Sequence, residues 1–339
     1  MRYRDAGVDV ARSDAIKDEI IAQIQSTWGE SVQPLVGGFA GFMRYPGGGP
    51  LVGATMDGVG TKLQLALEAG RLEDAAADLV YHGANDLVVH GARPLAFLDY
   101  IAQAELSPEV VLAAVRGLSR ACREVGAVLL GGETAEMPDT YLPGVIDVAG
   151  CMLGTVTAGQ LLDGSRVQVG DRVLGVAGTG LHTNGYSLAR RVLKTSGMAL
   201  HQMLPGGEGE SVAEALLAPH RWYGKALLPL AEMGRIRAMA HVTGGGVAGN
   251  LVRVLPIGCR AHLDIQSWPR PALFQWLIAQ GEVPENDART SFNLGVGMVV
   301  VTAPEAQGEV QQALRAAGEI VWSVGTIEPG ERGVEWTPS

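Results

Sequence analysis

The sequence predicts a mixed α/β protein of two domains. Three observations support this. The chain has 339 residues, more than one ordinary hydrophobic core serves. Segments of helical periodicity alternate with short apolar runs along its whole length. Glycines number 47, about twice the usual share of roughly 7%. They follow no collagen period and cluster at the ends of apolar runs, where loops approach something closely. The turn-rich stretch GQLLDGSRVQVGDR places the boundary near residues 160–170, giving domains 1–163 and 164–339.

Each element has a local reason. Residues 13–26, SDAIKDEIIAQIQS, predict a helix that Ser13 can cap, with Ile16, Ile20 and Ile24 on one face. Residues 32–50, VQPLVGGFAGFMRYPGGGP, are too irregular for an element and predict a mobile loop. A strand over 51–56 leads into DGVGTK, and a helix pattern covers 73–90. PLAFLDYIAQA (94–104) predicts a strand. SPEVVLAAVRGLSRACREVGA (107–127) is the clearest helix: Ser107 caps it, Pro108 takes its first position and Gly126 ends it. AVLLGG (127–132) predicts a buried strand, and GVIDVAGCMLGTVTA (144–158) and VLGVAG (173–178) predict two more. Beyond these, helices are expected near 185–196, 223–234, 247–254, 270–280 and 305–317, and strands near 261–265, 296–302 and 320–326. No repeat of 20 to 50 residues is present, which excludes a solenoid.

Charge and cysteine content narrow the function. The formal net charge of −10 argues against a nucleic-acid groove, which needs a basic stripe. It leaves anionic substrates open, because a metal ion or a few local donors can hold a phosphate on an acidic protein. Cys122, Cys151 and Cys259 are far apart and odd in number, as expected of buried thiols in a reducing compartment. The first residues, MRYRDAGVDV, are charged and unlike a signal peptide. No run of 18 or more apolar residues occurs. A cytoplasmic protein with no membrane partner is expected.

Four acids stand beside Gly or Asn at element ends: Asp57 in DGVGTK, Asp86 in GANDLVVHGA, Asp99 in FLDY and Glu133 in GGETAEMPD. One such acid is commonly a cap or turn residue; four suggest hard-oxygen ligands for Mg²⁺ held against nucleotide phosphates. Pairing with backbone donors would account for Asp99 and Glu133 as well. Lys62 can contact a phosphate as a point charge. No P-loop is present. GGGVAG gives Gly244, Gly246 and Gly249 the dinucleotide spacing, with Asp264 at the matching distance. The preceding RIRAMAHVT is polar and not a clean buried strand, and that reading leaves the four acids unexplained. Phosphate nests opening onto helices fit better, in TGGGVAGNLVRVL and in GTGLHTNGYSLARR. His182, Thr183 and Asn184 lie in one nest, His241 stands before the other, and Asn293 precedes a further strand in SFNLGVGMVV.

Together these residues make the chain recognisable. YRDAGVD (3–9), DGVGTK (57–62), NDLVVHGARPLAFLDY (85–100), GGETAEMPDTY (131–141), GLHTNGYSLARR (180–191), HVTGGG (241–246) and SFNLGVGM (291–298) resemble, nearly end to end, the phosphoribosylformylglycinamidine cyclo-ligase (AIR synthetase) family of purine biosynthesis. The resemblance implies an N-terminal α/β domain whose strands pair across a homodimer into a sheet or barrel, and a C-terminal α/β domain packed against it. It implies that ATP and Mg²⁺ convert formylglycinamidine ribonucleotide to aminoimidazole ribonucleotide.

Carried onto matching positions, Asp57 and Asp86 would hold Mg²⁺. Thr61 and Lys62 would contact ATP phosphates, with Gly58, Gly60, Asn85 and Glu133 in the same site. The loop with Gly37, Gly38 and Gly41 would cover the nucleotide. His182, Thr183, Asn184 and Gly185, Thr243 with Gly244, Gly245 and Gly246, and Asn293 would hold the ribonucleotide. Lys62, His182 and His241 would be the catalytic side chains. Asp139 and Ser291 depart from the family pattern, where Gly and Thr are expected. Rival readings are a sister kinase of the thiamine-phosphate or selenide type, or a hydrogenase-maturation dehydratase, or a non-catalytic nucleotide-binding regulator. No cysteine precedes Cys122 and the chain ends EWTPS, unlike the selenide and maturation proteins. His241 stands before TGGG where the kinases are expected to use an acid.

Overall fold

The computed structural model describes residues 19–35 and 37–337. The motif at 3–9, and Ser13 and Ile16 of the first expected helix, lie outside them; residues 19–25 of that helix (α1) are helical. The N-terminal half continues with β1 (Val32–Gln33), β2 (Gly41–Arg44), β3 (Leu51–Gly58), α2 (Lys62–Glu68), α3 (Leu72–Val88), β4 (Arg93–Gln103), α4 (Pro108–Val125), β5 (Val128–Glu136) and β6 (Ile146–Val156). The C-terminal half contains β7 (Arg172–Ala177), α5 (Tyr186–Ser196), α6 (Val212–Leu216), α7 (Gly224–Glu232), β8 (Ala238–His241), α8 (Gly246–Leu251), β9 (Cys259–Leu263), α9 (Ala272–Gly281), α10 (Glu285–Ser291), β10 (Val296–Thr302), α11 (Gln307–Ala316), β11 (Val321–Pro329) and β12 (Gly333–Trp336).

Each half builds one six-stranded sheet, in the orders β1-β2-β3-β6-β4-β5 and β12-β9-β11-β7-β10-β8. Among the described residues only β4–β5 and β12–β9 are parallel pairs. In the first sheet α3 lies on one face: a Cβ added at Gly83 of α3 would sit 2.9 Å from the Met152 side chain of β6. The other face is open. Met56, Cys151 and Leu98 stand in one cross-strand row there, and Met56 is 70% exposed. The apolar core of the N-terminal helices continues into Tyr186, Phe274 and Phe292 of the second half. The halves are joined by packing as well as by the chain.

Several expectations need correction. Where a mobile loop was expected, Val32–Gln33 and Gly41–Arg44 pair as the edge hairpin β1–β2; backbone pairing to β3 supplies the order that the irregular side chains do not. AVLLGG is not buried: β5 is an edge strand with Val128 and Leu130 exposed, and it runs on through Glu133 to Glu136. Ala238–His241 is a fully buried strand despite its polar neighbours Arg235 and Arg237. The short helices α2, α6 and α10 and the strand β12 were not expected. The dinucleotide fingerprint fails topologically. It needs a parallel βαβ unit, whereas β8 pairs antiparallel with β10 and is not a neighbour of β9.

The helix that carries Asp86 is held at close range by α4. Its first turn is tied by Arg120, which donates to Glu73 at 3.1 Å and to Asp74 at 2.8 Å. Gly117 lets the backbones approach: a Cβ there would lie 1.9 Å from the Glu73 carbonyl oxygen. Gly117→Ala is therefore expected to push the helices apart and cost about 1–3 kcal/mol, read as a lowered urea midpoint with unchanged slope.

Candidate active site at the join of the two halves

The site begins with two carboxylates and a histidine. Asp57 sits at the end of β3 and is 46% exposed. One of its oxygens accepts the Gly58 N–H at 2.7 Å. The other lies 2.9 Å from His82 Nε2. His82 and Asp86 are four residues apart on α3 and share a face, with His82 Nε2 3.6 Å from Asp86 Oδ2. Burial opposes charge on His82, but Asp86 and Asp57 outweigh it and hold the imidazole above its ordinary value. Burial likewise opposes charge on Asp57, yet the hydrogen bonds from His82 and Gly58 keep its carboxyl below the usual range. The second nitrogen of His82, Nδ1, is 2.6 Å from Thr183 Oγ1 of the second half.

Three more histidines pack behind this pair. His241, the last residue of β8, puts Nδ1 2.8 Å from Asp86 Oδ1 and Nε2 3.2 Å from His220 Nε2. The His220 ring stacks on His182 with centroids 3.9 Å apart. Burial, then the neighbouring rings, hold His182 and His220 well below the ordinary histidine value. Burial also lowers His241, against the pull of Asp86.

Beneath them lies Lys62, 1% exposed and in contact with the Asp78 carboxylate. Its ammonium also donates to the His182 carbonyl at 2.9 Å, while Asp78 Oδ1 accepts the His220 N–H at 2.8 Å. Burial disfavours the charge on Lys62, and Asp78 restores it. Lys62 is thus committed to the join, not presented to a phosphate, which corrects its expected role. Thr61, beside it, is exposed, with Oγ1 3.3 Å from Ser187 Oγ.

Both glycine nests are formed. Gly185 and Gly245 take left-handed conformations at the starts of α5 and α8, and neither start has a side-chain cap. Segment 289–295 clasps them together. Gly245 N donates to Thr290 O at 3.0 Å. A Cβ at Gly246 would lie 1.8 Å from the Arg289 oxygen. Asn184 reaches across, its Oδ1 3.6 Å from where a Cβ of Gly244 would stand.

Two expected ligand contacts are structural instead. The Asn293 amide donates to Gly180 O at 2.7 Å and accepts from Gly295 N at 2.9 Å. Asn85 bonds Arg221 O at 2.8 Å and Tyr223 N at 3.1 Å, which tethers segment 220–223 to α3. Glu133 is exposed on β5 and does not join the site within one chain. Its strand is separated from that of Asp57 by β6 and β4, roughly 14 Å at about 4.8 Å per strand. Asp99, on β4, is likewise two strands away.

The loop of Gly37 and Gly38 is held from the other half. Arg253 donates to Gly37 O at 2.8 Å and Gly38 O at 2.6 Å, and its guanidinium lies 3.7 Å from the Phe39 ring centre. His90 accepts the Phe39 N–H at 2.9 Å and contacts Leu162 O at 2.8 Å. Gly41 opens β2 beyond this loop. A cavity of about 310 Å³ lies between the loop and β3, lined by Trp28, Phe39, Gly41 and Thr55.

The structure therefore brings Asp57, Asp86, His182, Thr183, Asn184, His241 and the Thr243–Gly246 nest together. His82, His220, Asp78 and Arg253 were missed. Only His82 carried a signal, being one helical turn before Asp86; the others are placed by tertiary packing alone.

Comparison with known proteins settles the family. Residues 37–156 match the model of the AIR synthase related protein N-terminal domain, and residues 168–336 that of its C-terminal domain. A phosphoribosylformylglycinamidine cyclo-ligase from Anaeromyxobacter dehalogenans is 43% identical over 338 residues, covering 98% of this chain and 97% of that one. The chain belongs to the phosphoribosylformylglycinamidine cyclo-ligase family. A Synechococcus cyclo-ligase is 42% identical at the same coverage. The thiamine-monophosphate kinase structure from Stenotrophomonas maltophilia superposes with a TM-score of 0.66 at 21% identity, covering 95% of each chain. That likeness establishes the shared fold alone, so the sister-kinase reading is not carried by it. Among the described residues, no helix of this cyclo-ligase family member is long and apolar enough to cross a membrane.

Removing one partner of the buried pair under the site leaves the other charge uncompensated. Lys62→Met is expected to cost about 3–5 kcal/mol. The Lys62→Met/Asp78→Leu double variant should recover most of it, as measured by a double-mutant cycle in urea.

Proposed function

We propose that the protein is an ATP-dependent cyclo-ligase that closes the imidazole ring of aminoimidazole ribonucleotide from formylglycinamidine ribonucleotide. Family membership over nearly the whole chain supports this, and one geometric observation carries it: Asp57 and Asp86 converge on the same His82 nitrogen, at 2.9 and 3.6 Å, beside two glycine nests. Two carboxylates around one position are the hard-oxygen donors that Mg²⁺ requires. Asp57 and Asp86 would hold the ion, which when bound supplies charge neutralisation for the transferred phosphoryl group.

The remaining roles follow from placement. The Gly37–Gly38 loop and Gly41 flank the cavity beside Trp28 and Phe39, which suits a nucleobase, while Gly58, Gly60 and Thr61 lie on the phosphate side. The turns of Gly185 and Gly244–Gly246, with Thr183, Asn184 and Thr243, would line the ribonucleotide site. The formyl oxygen takes the γ-phosphoryl group of ATP. The ribosyl-bound nitrogen then attacks the activated carbon, loses its proton, and expels that oxygen as phosphate. Holding nitrogen and carbon together supplies much of the acceleration, and the rigid clasp of 289–295 on both nests suits that task. His182 and His241 are buried here, so they act from beneath the substrate surface, His241 by orienting Asp86.

In this reading residues 1–163 form the nucleotide and dimerisation domain, residues 164–339 the ribonucleotide domain, and the protein works in the cytoplasm. The open sheet face with Met56 and Leu98 and the free edge of β5 suit a homodimer. Glu133 would meet a nucleotide site only from the second copy.

The first test couples aminoimidazole formation to phosphate release with MgATP and formylglycinamidine ribonucleotide. One aminoimidazole per phosphate is expected, with Asp57→Asn reducing kcat by roughly 10²–10³-fold. Phosphate without ring product would point to a sister kinase, and ATP binding without turnover to a regulator. In sedimentation equilibrium the wild type should be a dimer and a Met56→Glu/Leu98→Glu variant a monomer; a monomeric wild type would remove the dimer from the proposal.

A further inference from the structure

The Thr243–Gly246 turn and the Gly37–Gly38 loop belong to different halves of the chain, and one buried amide stands between them. Asn250, on α8, is 0% exposed. Its Nδ2 donates to Gly244 O at 3.2 Å and to Gly246 O at 2.8 Å. Its Oδ1 accepts from Thr243 Oγ1 at 3.2 Å and from Arg253 Nη1 at 3.3 Å. These four bonds use the whole donor and acceptor capacity of the side chain. They also fix its orientation, because a flipped amide would turn its oxygen to two carbonyls and its NH₂ to a guanidinium. Arg253 carries the connection across the join. Its other partners are neutral: Gly37 O, Gly38 O and the face of Phe39. The backbone beneath it is fastened as well, since Arg332 donates to Val252 O at 3.0 Å and to Arg253 O at 3.1 Å. At the other end, Asn250 Oδ1 only accepts, so the Thr243 hydroxyl gives its proton there and turns lone pairs elsewhere. The Gly245 and Gly246 N–H groups are held by Thr290 O and Thr243 O. Thr243 therefore presents an acceptor, which suits the N–H or O–H groups of an amidine or a ribose.

We propose that Asn250 is a positioning residue that couples the two substrate sites, so that nucleotide and ribonucleotide tighten each other's binding. This rests on the cyclo-ligase reading, which puts the nucleotide beside the Gly37–Gly38 loop and the ribonucleotide on the Thr243–Gly246 turn. The element with two states is the loop, fastened by Arg253 or released. A ribonucleotide that bonds the Thr243 hydroxyl steadies the turn, and the turn steadies Asn250 through the Gly244 and Gly246 carbonyls. Asn250 then holds Nη1 of Arg253. The guanidinium is planar and rigid, so aligning one nitrogen aligns the two that hold the loop. The same connection runs backwards. A base seated beside Phe39 favours the fastened loop, which keeps Arg253 on Asn250 and Asn250 on the turn. Asn250 itself touches neither ligand, being buried between the two surfaces.

The test is calorimetric. The full chain is titrated with MgADP, with and without formylglycinamidine ribonucleotide. ADP is the probe because it lacks the phosphoryl group through which the two ligands would touch directly. In the wild type the ribonucleotide should tighten ADP by about 5–150-fold, and ADP should tighten the ribonucleotide by the same factor. Asn250→Ala and Arg253→Lys should each bring that factor near 1, and the double variant should lose no more than either alone. A merely structural role would weaken each ligand separately and leave the factor intact. Hydrogen exchange without ligand reads the same connection: the Phe39 amide, which donates to His90 at 2.9 Å, should exchange faster in both variants, with β10 unchanged. If Asn250→Ala does not fold, Arg253→Lys, at a half-buried position, decides the outcome. Wild-type coupling kept in a folded Asn250→Ala, or in Arg253→Lys, overturns the proposal. A factor near 1 in a wild type that passes the aminoimidazole assay overturns the coupling alone. A wild type that binds neither ligand overturns the cyclo-ligase reading and the coupling with it.

Discussion

The buried contact between Lys62 and Asp78 is what the rest of the site depends on. Lys62 is the last residue of the DGVGTK turn and the first of α2; Asp78 lies a turn before His82 on α3. Their charges satisfy each other, and their remaining hydrogen-bonding capacity goes to the second half, to the His182 carbonyl and the His220 N–H. A charge pair with almost no exposure costs several kcal/mol to desolvate unless its geometry is well satisfied. Here the satisfaction comes partly from backbone on the far side of the join. The pair is thus stable only when the halves are assembled in this register, and that register delivers Thr183 to His82 and His241 to Asp86.

Two kinds of glycine serve this assembly. Gly185 and Gly245 adopt left-handed backbone at the starts of two helices that no side chain caps, and the Gly246 N–H turns back to the Thr243 carbonyl at 3.1 Å. Gly246 adds close approach: its missing Cβ is the space that the Arg289 carbonyl occupies. Segment 289–295 thereby holds both glycine turns in one register.

Much of the architecture was legible in the sequence because its signals are local. Ser107, Pro108 and Gly126 bracket α4 within a residue, and the apolar run 296–302 is β10 as expected. The four-residue β8 was hidden because its burial comes from the β10 strand beside it, not from its own pattern. β5 misled in the opposite direction, since an apolar edge strand looks like a core strand until its neighbours are known. Within the site, Asp57 and Asp86 were readable from their glycine and asparagine settings. Lys62 read as a phosphate ligand, because nothing near it in the chain announces Asp78. His220 and Arg253 carry no local mark at all; 138 residues separate His220 from His82, yet their rings lie 5.8 Å apart.

The grip of Arg253 on the Gly37 and Gly38 carbonyls has a kinetic meaning. Those two oxygens belong to the loop beside the Phe39 cavity, and the guanidinium that holds them belongs to the opposite half. Under the proposed function, a nucleotide entering or leaving that cavity would either slip past a fastened loop or wait for it to unfasten. Unfastening breaks two charge-assisted hydrogen bonds and a stacked cation together. Arg253 is in this sense a latch, and under the proposed function it would lengthen the stay of a nucleotide that it need never touch.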